Sequence, residues 1–219
     1  MVYVATLKSV IKSVIPAWIA TYKTIPKGIL LTFDDGPDVN LTPQVLDLLA
    51  EYDIKAVFFI LGKQAQLYPN IVQRIVAEGH YLGNHSFAHK TADEIGFKAY
   101  ANDIKHCQTI LKPFIMATPR LFRPPQGKLS LSAWLAIQCN HMQAILWSIE
   151  SGEWGQYSHQ SVDQMLARLV REIQPHDIVL MHDNSSKVLL LIEKLLPVLI
   201  GKEYIFVDPK QAFPDVYKY

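Results

Sequence analysis

Two adjacent aspartates, Asp34 and Asp35, stand at the end of an apolar run and are followed by Gly36 and Pro37. The run 28–33 (GILLTF) is typical of a short buried strand. Two like charges at the end of a strand repel each other, so we expect either a cation nearby or a shifted carboxyl pKa. A solvated Asp-Asp-Gly-Pro turn is the alternative, and this stretch alone leaves both interpretations open.

Two histidines, His85 and His89, lie four residues apart in the stretch NHSFAH. On a helical turn this spacing places both imidazoles on one side, where they could hold one cation. Surface histidines reach the same spacing by chance, so the pair alone is a weak signal. Combined with one carboxylate of the aspartate pair, however, they would form a three-ligand site with an open position for water, as in hydrolytic zinc sites. One aspartate would then bind the metal and the other would handle a proton.

The stretch RPPQG begins with Arg123 and ends with Gly127, and both residues have a possible role in catalysis. Two prolines stiffen the loop. The arginine could pair with an aspartate and keep that carboxylate ionised, although it could equally be an ordinary surface residue. The glycine would let the backbone approach a ligand, so that an N–H group nearby could face an oxyanion.

A further candidate acid is His182, which follows the apolar run IVLM. A general acid needs a raised pKa, and an acidic partner such as Glu153, in the stretch ESGEW, would supply it. Trp154 and Leu180 would then form an apolar wall beside it. The alternatives are a structural histidine at the end of a strand and plain core packing for the other two residues.

These clusters are separated by short apolar runs that alternate with helical patterns. The runs span 29–33, 56–61, 81–83, 121–123, 144–149, 178–181 and 204–207. Such alternation predicts a parallel sheet with crossover helices, either an α/β barrel or an open doubly wound sheet. No Gly-x-Gly-x-x-Gly turn follows the first run, so dinucleotide binding has no support. Because the carboxyl ends of parallel strands form the site in such folds, we expect the reactive clusters to converge there.

The helical patterns are recognised by their apolar spacing and their start signals. The first follows the first run, and Thr42 is expected to cap it, with Pro43 in its first turn. A short helix is predicted later in the chain from the positions of Leu131, Trp134 and Leu135. Four more helices are expected from the same periodicity.

Length and charge restrict the class of protein. The chain has 219 residues, of which 50% are hydrophobic, and this suits one globular domain. A formal net charge of +1 argues against a nucleic-acid partner. The uncharged stretch 13–22 is too short to span a bilayer, and no secretory signal is evident. We therefore expect residues 1–27 to form an N-terminal segment packed on a domain of residues 28–219, with a membrane surface as the alternative.

Taken together, five motifs resemble those of a known family. In chain order they are TFDDGP, HSFAH, RPPQG, ESGEW and LMHD, from Thr32 to Asp183. The set resembles the polysaccharide deacetylases of carbohydrate esterase family four, the NodB-homology domain. The resemblance implies an α/β fold, a distorted (β/α) barrel with about seven parallel strands, which agrees with the number of apolar runs.

The resemblance also implies a role for individual residues of the first three motifs. Asp34 would be the catalytic base, and Arg123 would tether it. The ligands of a divalent metal, Zn²⁺ or alternatively Co²⁺, would be Asp35, His85 and His89.

The remaining motifs would supply the acid and the substrate contacts. Glu153 would tune His182, the general acid, while Trp154 and Leu180 would line the pocket for the acetyl group. The backbone N–H of Gln126 would help to bind the oxyanion. Two departures stand out: glutamates occupy positions 150 and 153, where the family usually has aspartate, and Gln126 stands where an aromatic residue is common.

The implied activity is metal-assisted removal of N-acetyl groups from glycans that contain N-acetylglucosamine, such as peptidoglycan or chitin-like oligomers, with release of acetate. Family members usually act outside the cytoplasm, which suggests an extracytoplasmic or cell-envelope location here. Two alternatives remain open: a non-catalytic carbohydrate-binding module on the same scaffold, and an amidase acting on a small non-sugar amide. The sequence leaves the oligomeric state open.

Overall fold

A computed structural model describes three parts of the chain, residues 20–24, 26–114 and 120–213. Most of the predicted N-terminal segment therefore lies outside the described residues, and the division into residues 1–27 and 28–219 stays a prediction. Within the described part of that segment, Thr21 forms a parallel bridge with Ile145, and Lys23 forms an antiparallel bridge with Asp177.

Seven parallel strands form a single sheet that curls into a half-barrel. The strands are β1 Leu30–Asp34, β2 Val57–Ile60, β3 Tyr81–Asn84, β4 Leu121–Phe122, β5 Gln143–Ala144, β6 Ile149–Glu150 and β7 Ile178–His182. Their spatial order is β5-β4-β3-β2-β1-β7-β6. The predicted distorted (β/α) barrel with about seven parallel strands is confirmed.

The seven strands do not match the seven apolar runs one to one. The run 144–149 contains the end of β5 and the start of β6, whereas the run 204–207 contributes only a bridge from Phe206 to Ile29. Between β5 and β6, the carbonyl groups of Ile145 and Leu146 accept hydrogen bonds from the side chain of Arg123. Regular strand pairing therefore ends within this apolar run, at the point where a buried side chain takes two of its carbonyl groups.

The helices that connect the strands are α1 Leu41–Glu51, α2 Gly62–Leu67, α3 Pro69–Ala77, α4 Ala92–Ile95, α5 Phe97–Leu111, α6 Leu131–Cys139, α7 Val162–Glu172, α8 Ser186–Gly201 and α9 Pro209–Ala212. Short 3₁₀ turns occupy Lys112–Phe114, Pro125–Gly127 and Gly155–Tyr157. Among the described helices, none is long and apolar enough to cross a bilayer.

One local prediction about the helices is wrong. Thr42 is the second residue of α1 rather than its cap, and the side chain of Asp38 accepts the N–H groups of Asn40 and Leu41 instead. In α6, Leu131 is 73% exposed, and the buried residues are Ala133, Ala136 and Ile137. The predicted helix is therefore present, although Leu131, one of the residues that predicted it, does not contribute to its buried face.

Alternation along β1 places the first reactive residues inside the half-barrel. Leu31 and Phe33 belong to the large core cluster that also contains residues of α1 and α8. Leu30 belongs to a second cluster on the opposite face of the sheet. Because side chains alternate along a strand, Thr32 and Asp34 continue the row of Leu30 and face the interior of the half-barrel.

Candidate active site

The reactive clusters meet in one cleft at the carboxyl ends of the strands. The cleft has a volume of about 530 Å³. Arg123 lies buried beside it, and the other predicted site residues line it: Asp34, Asp35, His85, His89, Gln126, Glu153, Trp154, Leu180 and His182. The remaining histidines, which the sequence analysis did not assign to the site, are not among the lining residues.

The first element of the site is a buried ion pair. Nη1 of Arg123 donates to Oδ1 of Asp34 at 2.7 Å and to the hydroxyl of Thr32 at 2.8 Å. Nε and Nη2 donate to the carbonyls of Ile145 and Leu146, both at 3.2 Å. Arg123 is 0% exposed, so the alternative of a surface arginine is wrong. Burial lowers the pKa of this guanidinium, while the Asp34 carboxylate opposes that shift.

The second element is a group of one carboxylate and two imidazoles. The ligand atoms of Asp35, His85 and His89 all lie within 4.8 Å of one another, and Oδ1 of Asp35 is 3.4 Å from Nε2 of each histidine. Burial alone would raise the pKa of Asp35, but the neighbouring imidazoles hold it well below its ordinary value. A negative carboxylate facing two nitrogens is a donor set suited to a divalent cation.

Two further observations agree with a cation at this place. Oδ1 of Asp35 is buried and has no hydrogen-bond partner among the described residues. Nδ1 of His85 lies 2.7 Å from the carbonyl oxygen of Arg123, and since a carbonyl can only accept, Nδ1 carries the proton. This leaves Nε2 as the ring nitrogen that faces Asp35 and is free to bind a metal, as in histidines that ligate metals.

The spacing of His85 and His89 brings the rings together, with centroids 5.1 Å apart, but not by the expected helical turn. The residues lie in a loop in which Ser86 and His89 have φ angles of 70° and 58°. The side chain of Asn84 accepts the N–H of Ser86, whose hydroxyl accepts the N–H of His89. Polar side chains thus replace helical hydrogen bonds in this turn.

The third element is a histidine–carboxylate pair. Nδ1 of His182 donates to Oε1 of Glu153 at 2.6 Å, and the other carboxylate oxygen contacts the hydroxyl of Ser151. Burial would lower the pKa of His182, but the hydrogen bond and charge of Glu153 raise it above its ordinary value. The longer side chain of glutamate therefore still reaches the histidine.

The walls of the cleft differ in exposure. Trp154 is 54% exposed and meets the ring of His182 edge-on, with centroids 6.4 Å apart. Leu180 is buried in the wall, and Gln126 is exposed at the rim with a φ angle of 58°. The left-handed conformation at Gln126 forms part of the 3₁₀ turn that follows the two prolines.

Two residues that support the site, Thr32 and Ser151, were not predicted from the sequence, although both lie within the motifs. Thr32 donates to the carbonyl of Val179 and accepts from Arg123, which fixes the guanidinium beside Asp34. Its position two residues before Asp34 on a strand was a usable signal, since both side chains must share a face.

A parallel α/β half-barrel whose cleft combines an aspartate–arginine pair, a glutamate–histidine pair and a possible metal-binding triad has the features of a hydrolase. The comparisons with known proteins define the class further. The sequence profile of the polysaccharide deacetylase family matches residues 21–145. A peptidoglycan-N-acetylglucosamine deacetylase of Bacillus cereus is 35% identical over 188 residues, which cover 83% of this chain and 85% of that protein.

Two further relatives agree. A chitooligosaccharide deacetylase of Sinorhizobium fredii is 30% identical over 206 residues, covering 84% of this chain and 93% of that protein. The structure of a peptidoglycan N-acetylglucosamine deacetylase in complex with 4-naphthalen-1-yl-N-oxidanyl-benzamide has a TM-score of 0.82 at 28% identity, covering 90% of this chain and 94% of that one. The chain therefore belongs to the polysaccharide deacetylase family, and the predictions of this family and of an enzyme of this class are confirmed.

Proposed function

We propose that the protein is a metal-dependent hydrolase that removes N-acetyl groups from N-acetylglucosamine units of a glycan, such as peptidoglycan or a chitin-like oligomer, and releases acetate. One observation carries the proposal. A single cleft contains Asp34 paired with Arg123, His182 paired with Glu153, and a triad of side chains suited to a metal. Asp34 and His182 are register partners on the adjacent strands β1 and β7, so they stand at the same level of the sheet.

Asp35, His85 and His89 would hold the metal, and the donor set of one oxygen and two nitrogens suits Zn²⁺, with Co²⁺ as the alternative. When bound, a divalent cation there would polarise the acetyl carbonyl and lower the pKa of a water. The carbonyl of Arg123, which accepts from Nδ1 of His85, would keep that ring oriented.

Asp34 would act as the general base. Arg123 holds its Oδ1, and the second carboxylate oxygen is left to take a proton from the attacking water. The pair is almost fully buried, so the carboxylate has a fixed orientation and a permanent counter-charge. Asp34 thereby gains one proton while the water oxygen forms its bond to the acetyl carbon.

His182 would act as the general acid. Its Nδ1–H bond to Glu153 fixes the ring and favours the protonated form, so Nε2 can donate a proton to the leaving amine as the C–N bond breaks. The backbone N–H of Gln126 would donate to the developing oxyanion, and Trp154 and Leu180 would contact the acetyl group. The products are acetate and an amino sugar, with the water divided between them.

The relatives named peptidoglycan deacetylases support a site of action outside the cytoplasm, at the cell envelope. The location and the glycan are therefore proposed together. N-acetylglucosamine oligomers contain the acetyl group and the sugar ring that both named classes of substrate share, so they are the first substrate to test.

The experiment is to measure acetate released from N-acetylglucosamine oligomers by metal-stripped protein, with and without added Zn²⁺ or Co²⁺. We expect release to require the metal and to fall roughly 100-fold or more in Asp34→Asn. Asp53→Asn, which changes a side chain that is 92% exposed, is the matched control and should keep full activity.

Each contrary outcome has a distinct meaning. Stoichiometric metal and oligosaccharide binding without any acetate release would favour a carbohydrate-binding module. Acetate release from small acetamides but not from oligomers would favour an amidase of non-sugar substrates. Equal rates with and without the metal would refute metal dependence.

A further inference from the structure

We propose that Arg168, on helix α7, is a positioning residue that orients the general acid by fixing the loop between β6 and the next 3₁₀ turn. This inference rests on the proposed function, because it concerns the pair formed by Glu153 and His182. Arg168 lies outside all five motifs and is not among the residues that line the cleft.

The first observation is a fork of hydrogen bonds from a buried cation. Arg168 is 6% exposed, and its Nη2 donates to the carbonyl oxygens of Glu150 and Ser151, both at 2.7 Å. Two consecutive carbonyls are thus held by one nitrogen. Such a geometry restrains both the position and the tilt of the peptide between them.

The second observation is the close fit of the loop around the guanidinium. Gly152 has a φ angle of 93°, and a Cβ atom there would lie 2.9 Å from Nη2 of Arg168 and 2.8 Å from Cβ of Tyr157. The guanidinium carbon lies 4.4 Å from the centre of the Tyr157 ring. The arginine is therefore enclosed between the loop backbone and an aromatic face, which favours a planar cation.

The third observation connects this loop to the acid. The hydroxyl of Ser151, whose carbonyl Arg168 holds, contacts the Glu153 carboxylate and lies 2.9 Å from the carbonyl oxygen of Leu180. The other oxygen of Glu153 accepts from Nδ1 of His182 at 2.6 Å. A shift of the loop would therefore move the carboxylate that orients the imidazole.

The presence of glutamate explains why an anchor is needed. Glu153 has one more rotatable bond than an aspartate would have at this position, so its carboxylate can reach more places. Ser151 restrains one carboxylate oxygen, and Arg168 in turn restrains the backbone that carries Ser151. The arginine thus acts through other residues and does not face the substrate.

The decisive variant is Arg168→Lys, which keeps the charge but has a shorter side chain and lacks the planar group that lies over the Tyr157 ring. Arg171→Lys is the matched control, because Arg171 lies on the same helix with a side chain that is 70% exposed and contacts Glu172. For an N-acetylglucosamine oligomer we expect kcat to fall about 10-fold or more in Arg168→Lys, with little change in KM and no change in the control.

The leaving group separates positioning of the acid from general damage. The amine of an amide must be protonated as it leaves, whereas p-nitrophenolate from p-nitrophenyl acetate leaves without a proton. Arg168→Lys should therefore hydrolyse the aryl ester within about 3-fold of the wild-type rate. An equal loss on both substrates would overturn the inference, as would no loss on either.

A measurement that does not require turnover keeps the inference separate from the proposed function. The short Nδ1–H bond from His182 to Glu153 should give a proton resonance far downfield, identified by its absence in Glu153→Gln. We expect this resonance to shift or disappear in Arg168→Lys and to persist in Arg171→Lys. Absence of acetate release by the wild-type protein would refute the proposed function. An unchanged resonance in Arg168→Lys would separately refute the role of Arg168.

Poor folding of Arg168→Lys would be detected by thermal unfolding. In that case Tyr157→Leu serves as the second variant, because it keeps the arginine and removes the ring beneath its guanidinium. It should show the same selective loss on the amide, about 3-fold or more. Wild-type behaviour of Tyr157→Leu in both the kinetics and the spectrum would contradict the inference.

Discussion

Replacing Arg123 by lysine separates the charge of this residue from its geometry. Arg123 makes four hydrogen bonds in a fully buried position: to Asp34, to Thr32 and to the carbonyls of Ile145 and Leu146. A lysine ammonium can retain a contact with Asp34, but it cannot span the distance to both carbonyls at once. We therefore expect Arg123→Lys to leave two buried carbonyl groups without this partner.

The size of the effect follows from those contacts. An unsatisfied buried carbonyl costs about 1–3 kcal/mol, so the two together should lower the free energy of unfolding by about 2–6 kcal/mol. The guanidinium carbon also lies 4.1 Å from the centre of the Phe59 ring, and that contact weakens as well. Since misplacement of a base by about 1 Å can cost roughly 100-fold in rate, kcat for acetate release should fall by about that factor.

Two assays check this prediction. Urea unfolding at pH 7 gives the loss of stability, and acetate release below the unfolding range gives the loss of rate. Arg120→Lys is the control, because Arg120 lies exposed just before β4 and should tolerate the change. The reasoning would be refuted if Arg123→Lys matched the wild-type stability within about 0.5 kcal/mol and kept its activity.

Two further predictions concern buried groups outside the catalytic set. Burial lowers the pKa of His80 from 6.5 to about 4, so the unfolded chain takes up the proton first, and stability that is complete above pH 6.5 is lost as the pH falls towards 4. Between pH 7 and 5 the free energy of unfolding should fall by about 2 kcal/mol for this reason. The variant His80→Asn can still accept the N–H of Ala56, and urea unfolding of this variant should lack that pH-dependent loss. A Cβ at Gly36 would lie 2.2 Å from the buried carboxylate of Asp183. Gly36→Ala should therefore lower the melting temperature and reduce the free energy of unfolding by about 1–3 kcal/mol. A Cβ at Gly201 would have nothing within 4 Å, so Gly201→Ala is the control and should not destabilise the protein. Equal melting temperatures for the two alanine variants would contradict this assignment.

The sequence predicted those parts of the fold that follow from general rules of topology. Alternating apolar runs and helical patterns indicated a parallel sheet, and its carboxyl edge then had to collect Asp34, His85, Arg123 and His182. No single motif had to be correct for this convergence, because each cluster follows its own strand. The family resemblance supplied the distorted barrel, which the same periodicity could not distinguish from an open sheet.

The missed elements depend on contacts between distant residues. Apolar periodicity cannot show that the carbonyls of Ile145 and Leu146 bond to Arg123, and so it merged β5 and β6 into one run. The spacing of His85 and His89 fits a helical turn, but the side chain of Asn84 stabilises a different one. In both cases hydrogen bonds from polar side chains replace regular backbone hydrogen bonds, and the spacing of apolar residues cannot predict them.

The glutamate in the fourth motif shows why residue type and spacing do not by themselves define an active site. Glu153 has one more methylene than the aspartate that is usual in the resembling family, yet its carboxylate lies 2.6 Å from Nδ1 of His182. The reach of a side chain depends on where its backbone lies, and that backbone is set by Ser151, by the φ angle of Gly152 and by the guanidinium of Arg168. These contacts compensate for the longer side chain of Glu153. We therefore expect Glu153→Asp to impair catalysis here, although aspartate is usual in the resembling family. The reason is that the shorter side chain would not reach the histidine while the loop stays fixed.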